Sequence, residues 1–156
     1  MLKQLIQQII EHNLFISFHD KHPSAFLAHV FIQDQTIQAG YYDASAERMT
    51  TFVVSGDRVD RIEDQEVLKT DGTILPLDID RVTLQPPGAR KVFSDTLKQH
   101  YPKEQPTQTF IILQQSTDGP YYNITALTAS IKTINIKISA TDGTVLKHSC
   151  EALVRM

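Results

Sequence analysis

Hydrophobic and polar residues alternate most clearly in the second half of the chain. Between residues 133 and 139, within a strand predicted over 131–139, isoleucines alternate with polar side chains. This period of two predicts a strand with one buried and one solvated face. A second strand is predicted over 144–152. The pair Asp142-Gly143 between them is typical of a tight hairpin, so the two strands are expected to be antiparallel neighbours.

Before these strands the apolar spacing changes to that of a helix. Apolar residues three and four positions apart predict a helix over 87–101. Pro102 ends it, because the residue before a proline is pushed out of the α region. Two further strands are predicted over 109–115 and 121–129. The second half is therefore predicted to be one helix followed by four antiparallel strands.

The first half is predicted to have the same order of elements. Leu2, Ile6 and Ile9 fall on one side of an amphipathic helix over 2–10. The residues 19–23 are predicted to be a polar connection. The segments predicted as strands in this half are 14–18, 25–33, 35–42, 49–55 and 58–63.

The fold class predicted from these elements is α+β, with two helix-plus-antiparallel-sheet units in tandem. The first unit is predicted to cover residues 1–66 and the second residues 87–156. Between them, residues 67–86 are rich in proline, glycine and aspartate, which is typical of a turn-rich linker. One short strand is predicted inside this linker, around 78–82.

Short motifs in the second half resemble the PepSY domain family. Tyr121-Tyr122-Asn123-Ile124 corresponds to the aromatic middle strand of that family, and residues 139–146 correspond to its terminal hairpin. The turn departs from the family pattern because it carries Asp142 before its glycine. The resemblance covers residues 87–150. It implies a PepSY-like, cystatin-like fold and a role in regulating a peptidase.

Two pairs of tyrosines occupy corresponding places in the halves, namely Tyr41 with Tyr42 and Tyr121 with Tyr122. This match indicates an internal duplication, although any chain of meanders aligns with itself to some extent. Adjacent strand residues point to opposite faces, so one tyrosine of each pair is expected at the surface as a binding anchor. The alternative is cross-strand packing that covers the sheet.

The best metal candidates are His19 and His22, because imidazole is a common metal ligand and the surrounding segment is polar. Pro23 argues against a helix that would bring the two rings to one side. No second cluster completes a site, and a solvated loop is the alternative. The sequence therefore predicts no metal and no cofactor.

The best candidates for catalysis are His148 and Cys150, which share one face of a predicted strand. A neighbouring histidine can activate a thiol, but a cysteine on such a face is more often a small buried hydrophobe. There is no phosphate-binding glycine loop, no Gly-x-Ser-x-Gly motif and no dinucleotide fingerprint. No catalytic residue is predicted, and the chain is expected to be a non-enzyme rather than an enzyme.

Composition is ordinary for a globular protein of 156 residues, with 41% hydrophobic and 21% charged residues. A single cysteine excludes an internal disulfide. No apolar run approaches the roughly 18 residues of a membrane span, so we expect a soluble chain. Its sequence predicts a cytoplasmic protein as given, or an exported one if a leader before Met1 was removed.

Charge is divided unevenly between the halves. Residues 1–86 carry 7 Lys and Arg against 13 Asp and Glu, whereas residues 87–156 carry 8 against 5. The second half is basic, but it lacks the dense mixture of basic and aromatic residues that nucleic-acid binding requires. We therefore predict no nucleic-acid partner, and the asymmetry favours docking or steering of a protein.

The function predicted from this sequence is a non-catalytic binding or regulatory module. Its partner would be an unidentified protein or peptide, held at sheet edges and at the tyrosines by strand addition. The competing hypothesis is a small-ligand carrier or enzyme with a pocket between helix and curved sheet, containing His29, His100 or His148. A homodimer formed through sheet edges is a third hypothesis.

Overall fold

The computed structural model describes residues 1–66 and 73–153, and all their side chains except those of 63–66. The helices are α1 (Leu2–Ile10), α2 (Asn13–Lys21) and α3 (Pro86–His100). The first four strands are β1 (Phe26–Gln33), β2 (Thr36–Asp43), β3 (Arg48–Ser55) and β4 (Arg58–Glu66). The other four are β5 (Pro106–Ser116), β6 (Gly119–Thr128), β7 (Lys132–Ser139) and β8 (Val145–Ala152).

All eight strands belong to one antiparallel sheet in the order β4-β3-β2-β1-β5-β6-β7-β8. The predicted architecture of two helix-plus-sheet units in tandem is therefore wrong. The predicted kinds of element, helices and antiparallel strands, are present. The pairing of β1 with β5, for example Val30 opposite Leu113, makes the sheet continuous. This pairing satisfies backbone groups that would otherwise lie exposed at two strand edges. Alternation within a strand does not reveal such a distant partner.

The helices pack on one face of the sheet, where the hydrophobic core lies. The strand registers align one residue from each of the eight strands in a single line across this face. Seven of these residues are buried, and the one from β8 is exposed. We call this line the covered row. From β4 to β8 it consists of Val59, Val54, Ile37, Ile32, Ile111, Ile124, Ile136 and His148.

Most predicted elements are confirmed within two or three residues. The helix over 2–10, the helix ending before Pro102 and the four strands of the second half are all present. The last hairpin turns at Gly143, whose φ of 81° lies in the left-handed region that glycine tolerates. The turn between β3 and β4 likewise places Gly56 at a φ of 63°.

Residues 14–21 differ from prediction, because the expected strand and polar connection are in fact helix α2. Phe15 and Phe18 lie three positions apart and are both buried against the sheet, which a helix allows. The helix begins after His12, whose ring nitrogen Nδ1 accepts a hydrogen bond from Leu14 N at 3.1 Å. Pro23 restricts only His22, which already lies outside the helix.

Residues 73–85 run around the end of the sheet at which β1 begins and β5 ends. Leu77 N donates to Leu27 O at 2.8 Å, and Leu84 N donates to Ala140 O at 2.9 Å. The short strand predicted around 78–82 is wrong, since Ile79–Arg81 forms a 3-10 turn capped by the Asp78 side chain. Residues 67–72 of the predicted linker lie outside the described residues, and the domain boundaries stay a prediction.

Candidate functional site

The face of the sheet opposite the helices carries a second line of paired side chains. We call it the open row, because no helix of residues 1–66 and 73–153 packs on it. Each member directly neighbours a member of the covered row in sequence, so it points the other way. From β4 to β8 the open row consists of Asp60, Val53, Gln38, Phe31, Ile112, Asn123, Lys137 and Lys147.

Apolar side chains occupy the middle of the open row. Phe31 on β1 lies directly opposite Ile112 on β5, and both are half-buried. The ring of Phe110, on the same face of β5, lies 6.4 Å from the Phe31 ring. Half-buried aromatic side chains on a sheet face that no described helix covers can supply contact area to a partner.

Hydrogen-bonded amides lie beside this apolar centre. Tyr121 Oη and Asn123 Nδ2 each donate to Gln114 Oε1 at 3.2 Å. Asn135 Nδ2 in turn donates to Asn123 Oδ1 at 2.6 Å and to Thr125 Oγ1 at 3.0 Å. Because each amide is held by a neighbour, the side chains on β5, β6 and β7 are fixed in orientation before any partner binds.

Two lysines end the open row at its β8 side. Lys137 and Lys147 lie directly opposite each other on β7 and β8. Like charges in this position destabilise a sheet. The ammonium of Lys137 also lies 6.0 Å from the centre of the Tyr121 ring, where the negative face of the ring attracts it. The two lysines therefore place positive charge at the β8 end of the open row.

The four predicted binding tyrosines do not share one surface. Tyr42 is buried at the open face, against the Phe26 ring at 5.8 Å. Tyr41 and Tyr122 are buried on the helix-covered face. The expectation that each pair presents one exposed ring is therefore wrong for Tyr41 and Tyr42. Only Tyr121 of these four is half-exposed, and it belongs to the amide network of the open face.

Tyr41 and Tyr122 differ in what their hydroxyls contact. Tyr122 Oη donates to Leu84 O at 2.6 Å. Tyr41 Oη is buried and has no hydrogen-bond partner among the described residues. Burial raises the pKa of both phenols above the ordinary value of 10.0, so both are protonated donors at neutral pH.

An open groove of about 370 Å³ lies between α2 and the sheet, and we call it the α2 groove. Its buried lining residues are Phe15 and Tyr41, which form the floor. Its rim includes the exposed side chains of Ile16, His19 and Asp20. The sequence prediction of a pocket between helix and sheet named three histidines, and none of them lines this groove.

Those three histidines lie elsewhere. His29 is on the open face above Gly40, where an added Cβ would lie 2.4 Å from its Cε1 atom, so this glycine permits the close packing. Burial lowers the pKa of His29. It lines a shallow pocket of about 310 Å³ with Tyr121. His100 and His148 stack at 4.2 Å between the end of α3 and β8.

His148 and Cys150 do share one face of β8, as predicted. His148 Nδ1 lies 2.8 Å from Tyr101 Oη and so is engaged with a phenol. Cys150 lies opposite the buried Ile134 and is partly buried against the core. The pair therefore lies at the covered face beside α3, where its members contact core and aromatic side chains.

His19 and His22 lie in different surroundings. His19 is on the exposed side of α2 with its ring 5.6 Å from Phe15. His22 Nδ1 lies 2.8 Å from Asp43 Oδ2, just past the end of the helix. Within the described residues no group of three or more His, Cys, Asp and Glu side chains is arranged to hold a metal ion. His22 thus connects the end of α2 to β2.

Sequence reasoning missed the open row as a unit. Alternation correctly gave each strand two faces, and the amides Asn123 and Asn135 stand at the polar positions of their strands. Their alignment with Phe31 depends on the pairing of β1 with β5, for which the sequence carries no local signal. A useful signal was present in Lys137 and Lys147, which flank a hairpin at positions that can face each other.

Comparison with models of known protein families gave no match, and comparison with curated protein sequences gave none either. Among solved structures, the chain is similar to a putative lipoprotein from Clostridium difficile 630, with a TM-score of 0.54 and 19% identity. The match covers 89% of this chain and 91% of that chain. At this identity the likeness concerns the fold alone, over about nine tenths of each chain.

No helix in the described part of the chain is both long and apolar enough to cross a membrane.

Proposed function

We propose that the protein is a non-catalytic binding module that holds an acidic polypeptide on the open row. The observation that carries the proposal is a sheet face on which no helix of residues 1–66 and 73–153 packs, apolar in its middle and with two facing lysines at the β8 end of its row. Phe31 and Ile112 supply apolar contact there, and Lys137 with Lys147 supply positive charge. An acidic segment would relieve the repulsion between the two lysines, so we expect the partner to be negatively charged.

The amide network favours a polypeptide partner in particular. Asn and Gln side chains both donate and accept hydrogen bonds, so they suit the peptide groups of a partner chain. The mutual hydrogen bonds of Gln114, Asn123 and Asn135 hold these groups in place, which lowers the entropy cost of binding. Tyr121 contributes a half-exposed aromatic ring of the kind enriched in interfaces.

The first test uses a random copolymer of glutamate and tyrosine as the acidic probe and one of lysine and tyrosine as its control. Calorimetric titration at low and physiological salt is expected to show binding of the acidic copolymer alone. Chemical shifts in an amide NMR spectrum are expected to move for β5 to β8. Absence of binding, or shifts confined to the helices, would contradict the proposal.

Matched charge reversals separate a specific surface from general attraction. The double variant Lys137→Glu with Lys147→Glu is expected to weaken binding at least about tenfold, as loss of two close charge contacts should. Lys91→Glu with Lys98→Glu makes the same change in net charge on α3, on the other side of the sheet. It is expected to change affinity less than about twofold at physiological salt, where distant charges are screened. Equal losses of affinity in the two double variants would contradict the proposal.

The resemblance to PepSY domains, and with it the internal duplication, supports a finer proposal in which the partner is a peptidase. Its test is inhibition of an acidic peptidase by the wild-type protein, with the double variant at Lys137 and Lys147 as control. If the wild-type protein and the double variant inhibit equally, the inhibition does not depend on the lysines of the open row. Homodimerisation through the edge strands β4 and β8 is a separate proposal, which sedimentation over a range of concentrations tests.

A further inference from the structure

The buried hydroxyl of Tyr41 lies in a lining residue of the α2 groove and has no hydrogen-bond partner among the described residues. Leaving such a group unpaired costs free energy, so buried hydroxyls are nearly always satisfied by protein, water or ligand. The residue as a whole is 5% exposed and, with Phe15, is one of the two buried residues in the groove lining. An unsatisfied donor in a residue that lines a groove can be satisfied by an acceptor carried by a bound molecule.

The side chains around Tyr41 in the α2 groove are apolar. The Phe15 ring meets the Tyr41 ring edge-on at 4.8 Å, and the centre of the Phe52 ring lies 5.8 Å from that of Tyr41. The half-buried residues Ala25 and Leu27 line the groove at the start of β1. These contacts hold the Tyr41 ring in place, so its hydroxyl has a fixed position relative to the groove.

Charged groups are confined to the rim. The ionisable lining residues besides Tyr41 are His19 and Asp20, and both are exposed on the outer side of α2. A charged ligand group at the floor would lie unpaired in an apolar setting, which is strongly unfavourable. The floor therefore suits an uncharged group, and the protonated phenol of Tyr41 suits a hydrogen-bond acceptor.

We propose that the α2 groove binds a small, uncharged, mainly apolar molecule whose carbonyl oxygen accepts a hydrogen bond from Tyr41 Oη. The volume of about 370 Å³ lies at the lower end of the roughly 300–1,000 Å³ usual for small-molecule sites. This site lies on the helix side of the sheet, so it is separate from the open row. Because Oη itself is closed to solvent, the proposed hydrogen bond requires α2 to shift outward when the molecule binds.

The test uses two probes of nearly equal shape, acetophenone and α-methylstyrene, in which a CH2 group replaces the carbonyl oxygen. NMR titration of the full chain is expected to show shifts at α2, β1 and β2 for both. The wild-type protein is expected to bind acetophenone about 3- to 10-fold more tightly, which is the net effect of one hydrogen bond. Equal affinity for the two probes, or shifts elsewhere, would overturn the proposal.

Two variants locate the effect. Tyr41→Phe removes the hydroxyl alone and is expected to abolish the preference for acetophenone while α-methylstyrene still binds. Ile16→Glu places a charge on the rim, where the wild-type side chain is 46% exposed, and is expected to weaken both probes. Leu146→Glu is its matched control, because Leu146 is 56% exposed on β8, far from the groove.

The outcomes are separable from those for the open row. The double reversal at Lys137 and Lys147 is expected to leave binding of both probes unchanged, since those residues lie on the other face. A Tyr41→Phe protein that keeps the full preference for acetophenone would refute the proposed hydrogen bond. A Leu146→Glu protein that loses probe binding as completely as Ile16→Glu would refute the location.

Discussion

The covered row and the open row consist of adjacent residues of the same eight strands, yet seven of the eight covered residues are aliphatic and five of the eight open ones are polar or charged. The covered row is almost entirely isoleucine and valine, and the open row runs from Asp60 through Phe31 to Lys147. Both rows obey the same backbone register. The difference teaches that the helices, by covering one face, decide which side chains must be apolar and which are free for recognition.

The strongest way to break this comparison is to shorten a side chain in each row. Ile124→Ala removes a fully buried side chain from the covered row and is expected to lower the free energy of unfolding by about 3 kcal/mol. Its control, Ile112→Ala on the open row, is expected to cost about 1 kcal/mol, because the side chain is only half-buried. Urea denaturation measures both, and equal losses would contradict the assignment of the faces.

The next prediction concerns the two tyrosines buried under the helices. Tyr122→Phe leaves the carbonyl of Leu84 without its donor and is expected to lower the free energy of unfolding by about 1–2 kcal/mol. Tyr41→Phe removes an unpaired buried hydroxyl and is expected to be neutral or stabilising by about 0.5–1 kcal/mol. Thermal unfolding of the two variants side by side checks their order, and a larger loss at Tyr41 would contradict it.

A pH prediction follows from the buried end of β2. A hydrogen bond from the Ser45 hydroxyl, followed by one from His22, holds the pKa of Asp43 below its ordinary value of 3.8. Because the folded-state pKa is the lower one, its contribution to stability is complete above pH 3.8. This contribution is lost as the pH falls through the folded-state value.

The measurement is urea denaturation between neutral pH and the acid limb. Asp43→Asn is expected to lower stability at neutral pH and to remove part of the acid-dependent loss seen in the wild-type protein. A variant whose stability falls in parallel with the wild type through the whole acid range would show that Asp43 contributes nothing to it.

The smallest expected effect concerns the lysines of the open row. Lys147→Glu turns a like-charge pair with Lys137 into an opposite-charge pair and is expected to stabilise the sheet by about 0.5 kcal/mol. The gain should disappear in about 1 M salt, where surface charges are screened. If the variant is stabler and also binds the acidic copolymer less tightly, the wild-type pair is retained at the expense of stability for recognition.

Much of the local structure could be predicted because it depends on local signals. The alternation around Ile136, the turn at Gly143 and the proline after α3 each act within a few residues, and each element is present. Helix α2 was missed because its two buried aromatics, Phe15 and Phe18, fit either a short strand or one helical turn. Only the sheet beneath them, with Tyr41 and Phe52 in contact, favours the helix.

The candidate sites were less predictable than the elements. The tyrosine pairs were found from sequence, but burial separates them into one half-exposed ring and three buried ones. No pattern marks Tyr41 as unpaired and Tyr122 as paired. That distinction depends on whether a distant carbonyl, here that of Leu84, reaches the hydroxyl.

The sequence by itself determined the elements and the two faces of each strand, because side-chain periodicity and turn residues act over short distances. Only the tertiary structure decided that β1 and β5 pair, that the strands form one sheet, and that the helices all cover the same face. These decisions depend on hydrogen bonds and apolar contacts between residues far apart in the chain. They are what align Phe31, Ile112 and Lys137 into one surface and place the Tyr41 hydroxyl beneath α2.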